Sequence, residues 1–274
     1  MLFGGAVPIG VHGMATTSRA AIMGSGGLRP GALTLSLAGG CTACLSVAQE
    51  RGVETPAIIA ARIAGETSYA KLAANAAAND AYAWAHGLFD LGEGFERADS
   101  LAVAADPDAE LYIVPPRLPL EAPWGLSEVR GAVMGFDVGT SKADLVRAAM
   151  ETAAFAARDV IESIDSDGVA DAARPVAKAS GGIAESDWTM QFLADVLNRQ
   201  VERLSVTQAA ALGVAWLAGL GTGEWPNAES FAASLTIDQR FEPNMGEGRR
   251  AWRTNGWRRS VHLATSSEAT AADA

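Results

Sequence analysis

Apolar positions change period several times along the chain, and each change marks a predicted element. Residues 1 to about 50 mix strand formers with turn signals, in "GGAVPIGVHG" and then "SGGLRPGALTLSLAGG", with Gly-Gly and Arg-Pro-Gly at the connections. The opening run reads as a strand entering the fold. No Lys or Arg precedes it and Pro8 interrupts it, which is unlike a signal peptide. From Pro56 to about Leu91 the spacing and the abundance of Ala predict helix, in "TPAIIAARIAG" and "YAKLAANAAANDAYAWAHGLFDLG". A strand "LYIVPP", a Pro-rich loop "RLPLEAPWGLSE" and a strand "RGAVMGFD" follow.

The clearest amphipathic helix is "SKADLVRAAMETAAFAARDVIESI", with Ser141 as N-cap and Leu145, Ala148, Ala149, Thr152 and Ala156 along its apolar stripe. After it come a short strand "PVAKASGG", a helix "SDWTMQFLADVLN", a strand "QVERLSV" and the Ala-rich helix "TQAAALGVAWLAGL". Strand, glycine turn, helix, strand, helix is an α/β plan in which a glycine-rich turn feeds a helix start. The last residues, "SSEATAADA", are small and polar and predict a disordered tail over 266–274, leaving 1–265 as the domain.

Composition narrows the function classes. The chain has 274 residues, 49% of them hydrophobic, enough for one large core or two modest ones. Its 32 acidic against 21 basic residues give a formal charge of -11, which disfavours broad contact with nucleic acid or an anionic membrane but leaves room for individually bound anions. The longest apolar run, Ala209 to Gly221, is shorter than the roughly 20 residues a membrane span needs. A soluble, cytoplasmic protein is expected. Cys41 and Cys44 have redox-motif spacing, but "ALTLSLAGGCTACLSV" reads as strand, where positions i and i+3 face opposite ways; a structural role follows. His12, His86 and His262 are scattered and, with two cysteines, give no metal-ligand spacing.

Two glycine-bearing stretches invite a ligand. "GFDVGTS", Gly135 to Ser141, resembles the first phosphate-gripping loop of the actin-like ATPases. In "ASGGIAESDW", Gly181 and Gly182 let the backbone approach a ligand closely, and Ser186 and Asp187 stand as caps of the helix that follows. The longer stretch "SGGIAESDWTMQFLADVLNRQVERLSVTQAAALGVAWLAGLGTGEW" resembles the C-terminal domain of the FGGY carbohydrate kinases, the family of glycerol kinase and xylulokinase. The resemblance reaches back through "VRGAVMGFDVGTSKADLVRAAMETAAF" to "TLSLAGGCTACLSV" and forward to "FEPNMGEGRRAWRTNGWRRSV", so it covers nearly the whole chain. It implies an actin-like (ribonuclease H-like) C-terminal domain, a mixed sheet flanked by helices. In that register "DVGTS" is a strand-to-helix turn, with Thr140 and Ser141 serving the backbone, and the true Asp-x-Gly-Thr loop belongs to the family's N-terminal domain, which this chain does not contain.

The resemblance also implies a nucleotide site, for ATP or ADP with Mg2+. The family's phosphate loop falls on Ala38, Gly39 and Gly40, with Gly39 replacing a Thr. Its Gly-Gly turn falls on Gly181 and Gly182, with Ser186 one turn on. A helix carrying Gly and Gln falls on Asn79 and Ala83, so the side-chain amide is lost. The family's catalytic Asp falls on Thr17, and no other Asp or Glu lies between Met1 and Arg29. A neutral hydroxyl is no base near neutrality, and losing a general base costs on the order of 10² to 10⁴ in rate. The expectation is therefore the nucleotide-binding half of a sugar or polyol kinase, acting with an N-terminal half or as a homo-oligomer. The alternative is an inactive kinase-like domain kept for nucleotide sensing or assembly.

Overall fold

Seven strands form one mixed sheet in the computed structural model, which describes residues 14–47, 58–63, 66–115, 131–165, 175–225 and 227–272. In chain order the strands are β1 (Leu33–Leu37), β2 (Cys41–Val47), β3 (Ile58–Ile63), β4 (Glu66–Asn75), β5 (Tyr112–Val114), β6 (Ala132–Met134), β7 (Ala177–Ser180), β8 (Val201–Leu204) and β9 (Ile237–Phe241). The helices are α1 (Thr17–Gly24), α2 (Asp80–Phe89), α3 (Glu96–Ala104), α4 (Lys142–Asp165), α5 (Asp187–Leu197), α6 (Ala209–Thr222), α7 (Ala228–Ser234) and α8 (Glu247–Ala272). The sheet runs β3-β4-β2-β1-β7-β8-β9. β1 pairs antiparallel with β2, β2 with β4 and β4 with β3, so the β3–β4 hairpin adds to β2 through β4; β7 and β8 run parallel to β1, and β9 returns antiparallel. β5 and β6 make a separate antiparallel pair.

Helices cover both faces. Leu33, Leu35 and Leu37 of β1 pack with Phe155 of α4, Leu193 of α5 and Trp257 of α8 in the main core. The Phe155 and Trp257 rings stack at 5.2 Å, worth about 0.5–1.5 kcal/mol beyond burial. A smaller core joins Ala20 and Met23 of α1 to Trp216 of α6 and Phe231 of α7. α1 and α6 touch backbone to backbone: a Cβ on Gly213 would lie 1.9 Å from the Ala20 carbonyl oxygen, and one on Gly24 would lie 1.9 Å from that of Ala209.

The capped helices match the sequence reading. Ser141 caps α4: the Asp144 amide donates to Ser141 Oγ at 3.2 Å, while the Ser141 amide and hydroxyl both donate to Asp144 Oδ2. This is a reciprocal box with Asp in the acidic place. Its "DVGT" approach is a turn in which the Asp137 amide donates to Thr140 Oγ1 at 2.8 Å. Both hydroxyls serve the backbone, as expected.

Three expectations are corrected. Among the described residues, the stretch from Pro56 to Leu91 is helical only over α2; before it lie β3 and β4, paired Ile59 with Ala70 and Ala60 with Tyr69. Ala favours helix in isolation, but the exposed edge of β2 offers a full ladder from Cys41↔Asn75 to Val47↔Tyr69, and tertiary pairing overrides the weak local preference. The first 50 residues are not all strand and turn, because α1 forms behind Thr16, whose hydroxyl accepts from the Arg19 amide. The last helix runs on through Ser266 to Ala272, where "EATAA" has the Ala content to sustain it. The opening strand and the loop "RLPLEAPWGLSE" lie outside the described residues.

Candidate functional site

β1 and β7 lie side by side and parallel, with Ser36 opposite Ser180, and the chain leaves their adjoining C-terminal ends in opposite directions along the sheet. From β1 the chain turns back into β2; from β7 it passes through a 3-10 turn, Gly182–Glu185, and α5 to reach β8 on the other side. The strand order thus reverses between β1 and β7. The crevice outside such a switch point is where open α/β sheets take ligands.

The four predicted glycines meet there and divide into two kinds. Gly181 is buried at φ 97°, and a Cβ on it would lie 2.4 Å from the Leu37 carbonyl carbon. A Cβ on Gly40 would lie 2.7 Å from the Asn75 carbonyl oxygen. These two let the chain close up. Gly39 and Gly182 are different: among the described residues, a Cβ on either would meet nothing within 4 Å. Backbone beside them is open to a ligand.

Asn79 stands on the far side of the β1–β2 loop, at the start of α2. Its side-chain amide donates to the Ala38 carbonyl, and its Oδ1 is buried with no hydrogen-bond partner among the described residues. Ala83, one turn on, is exposed. Ser186 is fully buried and works as the cap of α5, accepting from the Thr189 amide at 3.0 Å and donating to Asp99 Oδ1 at 2.6 Å. Its hydroxyl is thereby committed to the fold. Burial raises the Asp99 carboxyl above the usual range, partly offset by the Ser186 hydroxyl and the Trp188 amide.

Two residues that shape the site escaped the sequence reading. Arg203 of β8 donates to Asp187 at 2.6 Å, to Asp238 at 2.7 Å and to the Ala184 carbonyl at 3.2 Å, so one guanidinium holds the 3-10 turn and the start of α5. Thr207 fixes the other end: its carbonyl accepts from the Gly181 amide at 2.8 Å and its hydroxyl donates to Glu185 at 3.0 Å. A lone Arg in a strand carries no local signal of this work, because its carboxylate partners lie 16 and 35 positions away.

Thr17 is exposed at the first position of α1 and lines an open depression of about 580 Å³ with Ala15, Ala20, Ala211, Val214 and Ala215. That lining contains a single hydroxyl and no ionisable group. Cys41 and Cys44 are free and buried on β2; burial pushes the thiols up to about 12 and about 11, so neither forms a thiolate near neutrality. Among the described residues no cluster of three or more His, Cys, Asp or Glu is placed to hold a metal ion. Among them, too, no helix is long and apolar enough to cross a membrane.

Comparison with known proteins places the chain in a family. Residues 35–222 match the model of the FGGY family of carbohydrate kinases, C-terminal domain. The chain is 38% identical over 263 residues to a glycerol kinase of Rhizobium meliloti (strain 1021), covering 95% of this chain and 52% of that protein. It is 37% identical over 264 residues to one from Cereibacter sphaeroides (strain ATCC 17029 / ATH 2.4.9), covering 95% and 53%. The chain therefore spans about half the length of the curated relatives it matches. Among solved structures it superposes on a Plasmodium falciparum glycerol kinase with ADP, at a TM-score of 0.75 and 22% identity, over 90% of this chain and 50% of that one. A xylulose kinase from Rhodospirillum rubrum gives 0.68 and 24%, over 90% and 49%. Both likenesses concern the fold, a mixed sheet flanked by helices of the actin-like kind.

Proposed function

The chain belongs to the FGGY family of carbohydrate kinases, as a C-terminal domain, and from that premise we propose that it is the nucleotide-binding half of an ATP-dependent sugar or polyol kinase. One observation carries the reading: two glycines with open space beside them, Gly39 and Gly182, stand at the adjoining ends of parallel strands where the sheet order reverses. Backbone amides at Gly39 and Gly40 would meet the phosphates, and the turn at Gly181 and Gly182 would lie against the adenosine end. Arg203 and Thr207 hold that turn rigid before any ligand arrives. Preorganised donors of this kind are how phosphoryl-transfer enzymes stabilise charge.

When bound, ATP supplies the phosphoryl group for transfer to a sugar hydroxyl. The described residues gather no acidic cluster for Mg2+, so the phosphates themselves would carry it. The sugar and the opposing wall of the cleft would come from an N-terminal half, and a cytoplasmic location belongs to the same proposal.

A second reading is favoured by Thr17. Its uncharged hydroxyl, in a depression whose described lining is otherwise apolar, gives that depression no group to take the proton of an attacking alcohol. Under that reading the domain binds nucleotide without catalysing transfer. Mixing the chain with the N-terminal half of a glycerol kinase and following phosphorylated product separates the two. Activity with wild type supports the kinase; activity appearing only with Thr17→Asp supports the inactive form. No thermal stabilisation by saturating ADP, where tight binding should add about 2–4 kcal/mol, overturns both.

A further inference from the structure

Asn79 is only 9% exposed, and its two polar atoms are used unequally. The amide nitrogen donates to the Ala38 carbonyl, while among the described residues nothing matches Oδ1. Rotating the amide would set Oδ1 against the Ala38 oxygen, acceptor against acceptor, so Ala38 dictates which way the group faces. The residue accepts an unmatched buried oxygen in order to make this one bond.

That bond fixes more than a carbonyl. A trans peptide sets its N–H opposite its C=O. With the Ala38 carbonyl drawn toward α2, the amide of Gly39 turns away from α2. A Cβ on Gly40 would abut Asn75 and Ala76, at the end of β4 that leads into α2, while one on Gly181 would abut Leu37 and Ala38, so β4's end and the Gly181–Gly182 turn flank the loop. An amide turned from Asn79 would then lie on the side of the loop where the Gly181–Gly182 turn approaches it. The loop has two consecutive glycines and open space around Gly39, so its backbone has many states to choose among, and one side-chain bond has leverage over it.

From this we infer that Asn79 is a positioning residue for phosphate binding: it holds the β1–β2 loop in the state that presents an amide hydrogen, rather than a carbonyl oxygen, to the site. The inference rests on the nucleotide reading above. It assigns to the Asn79 side chain a task that the Gly found there in the family pattern has no side chain to perform.

The full chain, isotope-labelled, is titrated with ADP as wild type, Asn79→Asp and Asn79→Gly, with affinity from calorimetry and the Gly39 amide resonance followed by NMR. Asp keeps the shape but replaces the donor with an acceptor, so ADP affinity should fall by about tenfold or more, and Gly should cost about two- to tenfold, the worth of one hydrogen bond. In wild type the Gly39 resonance should move on binding; in Asn79→Asp it should not move even at saturation. Unchanged affinity in both variants, or a Gly39 shift that survives in Asn79→Asp, overturns the positioning role and leaves the nucleotide reading standing. No ADP binding by wild type overturns both. Gly is well accepted at a helix N-cap, so that variant carries the test if Asp disturbs folding.

Discussion

Gly24 and Gly213, between α1 and α6, and Gly39 and Gly182, at the ends of β1 and β7, are the same residue put to opposite uses. In the first pair an added Cβ would collide with backbone at 1.9 Å; in the second it would meet nothing within 4 Å. One pair is small so that two helices can touch. The other leaves ground that the protein itself does not fill. Absence of a side chain is thus a packing device in one region and, on the proposed reading, a binding device in the other, and only the surroundings tell them apart.

The comparison breaks most visibly at Gly213. Gly213→Val should part α1 from α6, costing about 3 kcal/mol or more by overpacking. For a chain of this size that lowers the melting temperature by roughly 6–12 °C in a thermal scan. A melting curve unchanged from wild type would mean that the two helices do not pack as described.

At the open glycines the effects should fall on binding instead. Gly39→Thr restores the hydroxyl of the family pattern in space that is free for it, and should raise ATP affinity by about tenfold, as hydrogen bonds to charged groups do. Gly182→Ala should leave stability within about 0.5 kcal/mol, because its Cβ touches nothing, while calorimetry shows weaker ADP binding. A destabilised Gly182→Ala with unaltered affinity would erase the distinction between the two pairs.

A control belonging to neither pair is the α4 cap. Bonds from the Ser141 hydroxyl and amide and the Asp106 amide outweigh burial and hold the Asp144 carboxyl below the usual range. A lowered folded value means that its contribution is complete above the ordinary carboxylate pKa, about 4, and is lost as pH falls through the folded value. Asp144→Asn should therefore cost about 1 kcal/mol at neutral pH, flatten the acid limb of the stability curve, and leave ADP affinity alone.

Sequence and structure agree where the signal is local. The Ser141 cap and the start of α5 behind Ser186 are written in a few adjacent residues. The β3–β4 hairpin was hidden because Ala-rich segments follow whatever pairing their neighbours offer, and α1 because eight residues among turn signals make a weak stripe. The position of the Gly-Gly turn was legible; which glycine is packed and which is open was not, since that depends on which strand ends adjoin. Ser186 shows the limit from the other side. As a candidate ligand contact it fits the family pattern, yet in the fold its hydroxyl is spent on Thr189 and Asp99, the latter from a helix 87 positions away.

Nucleotide binding at the junction of β1 and β7 is tested most directly by calorimetric titration of ADP with Mg2+ into wild type and Gly182→Trp. The open space beside Gly182 should admit the indole without unfolding the chain, so the account predicts a saturable binding isotherm for wild type and none for the variant at an equal melting temperature. No binding by wild type, or equal binding by both, would contradict it.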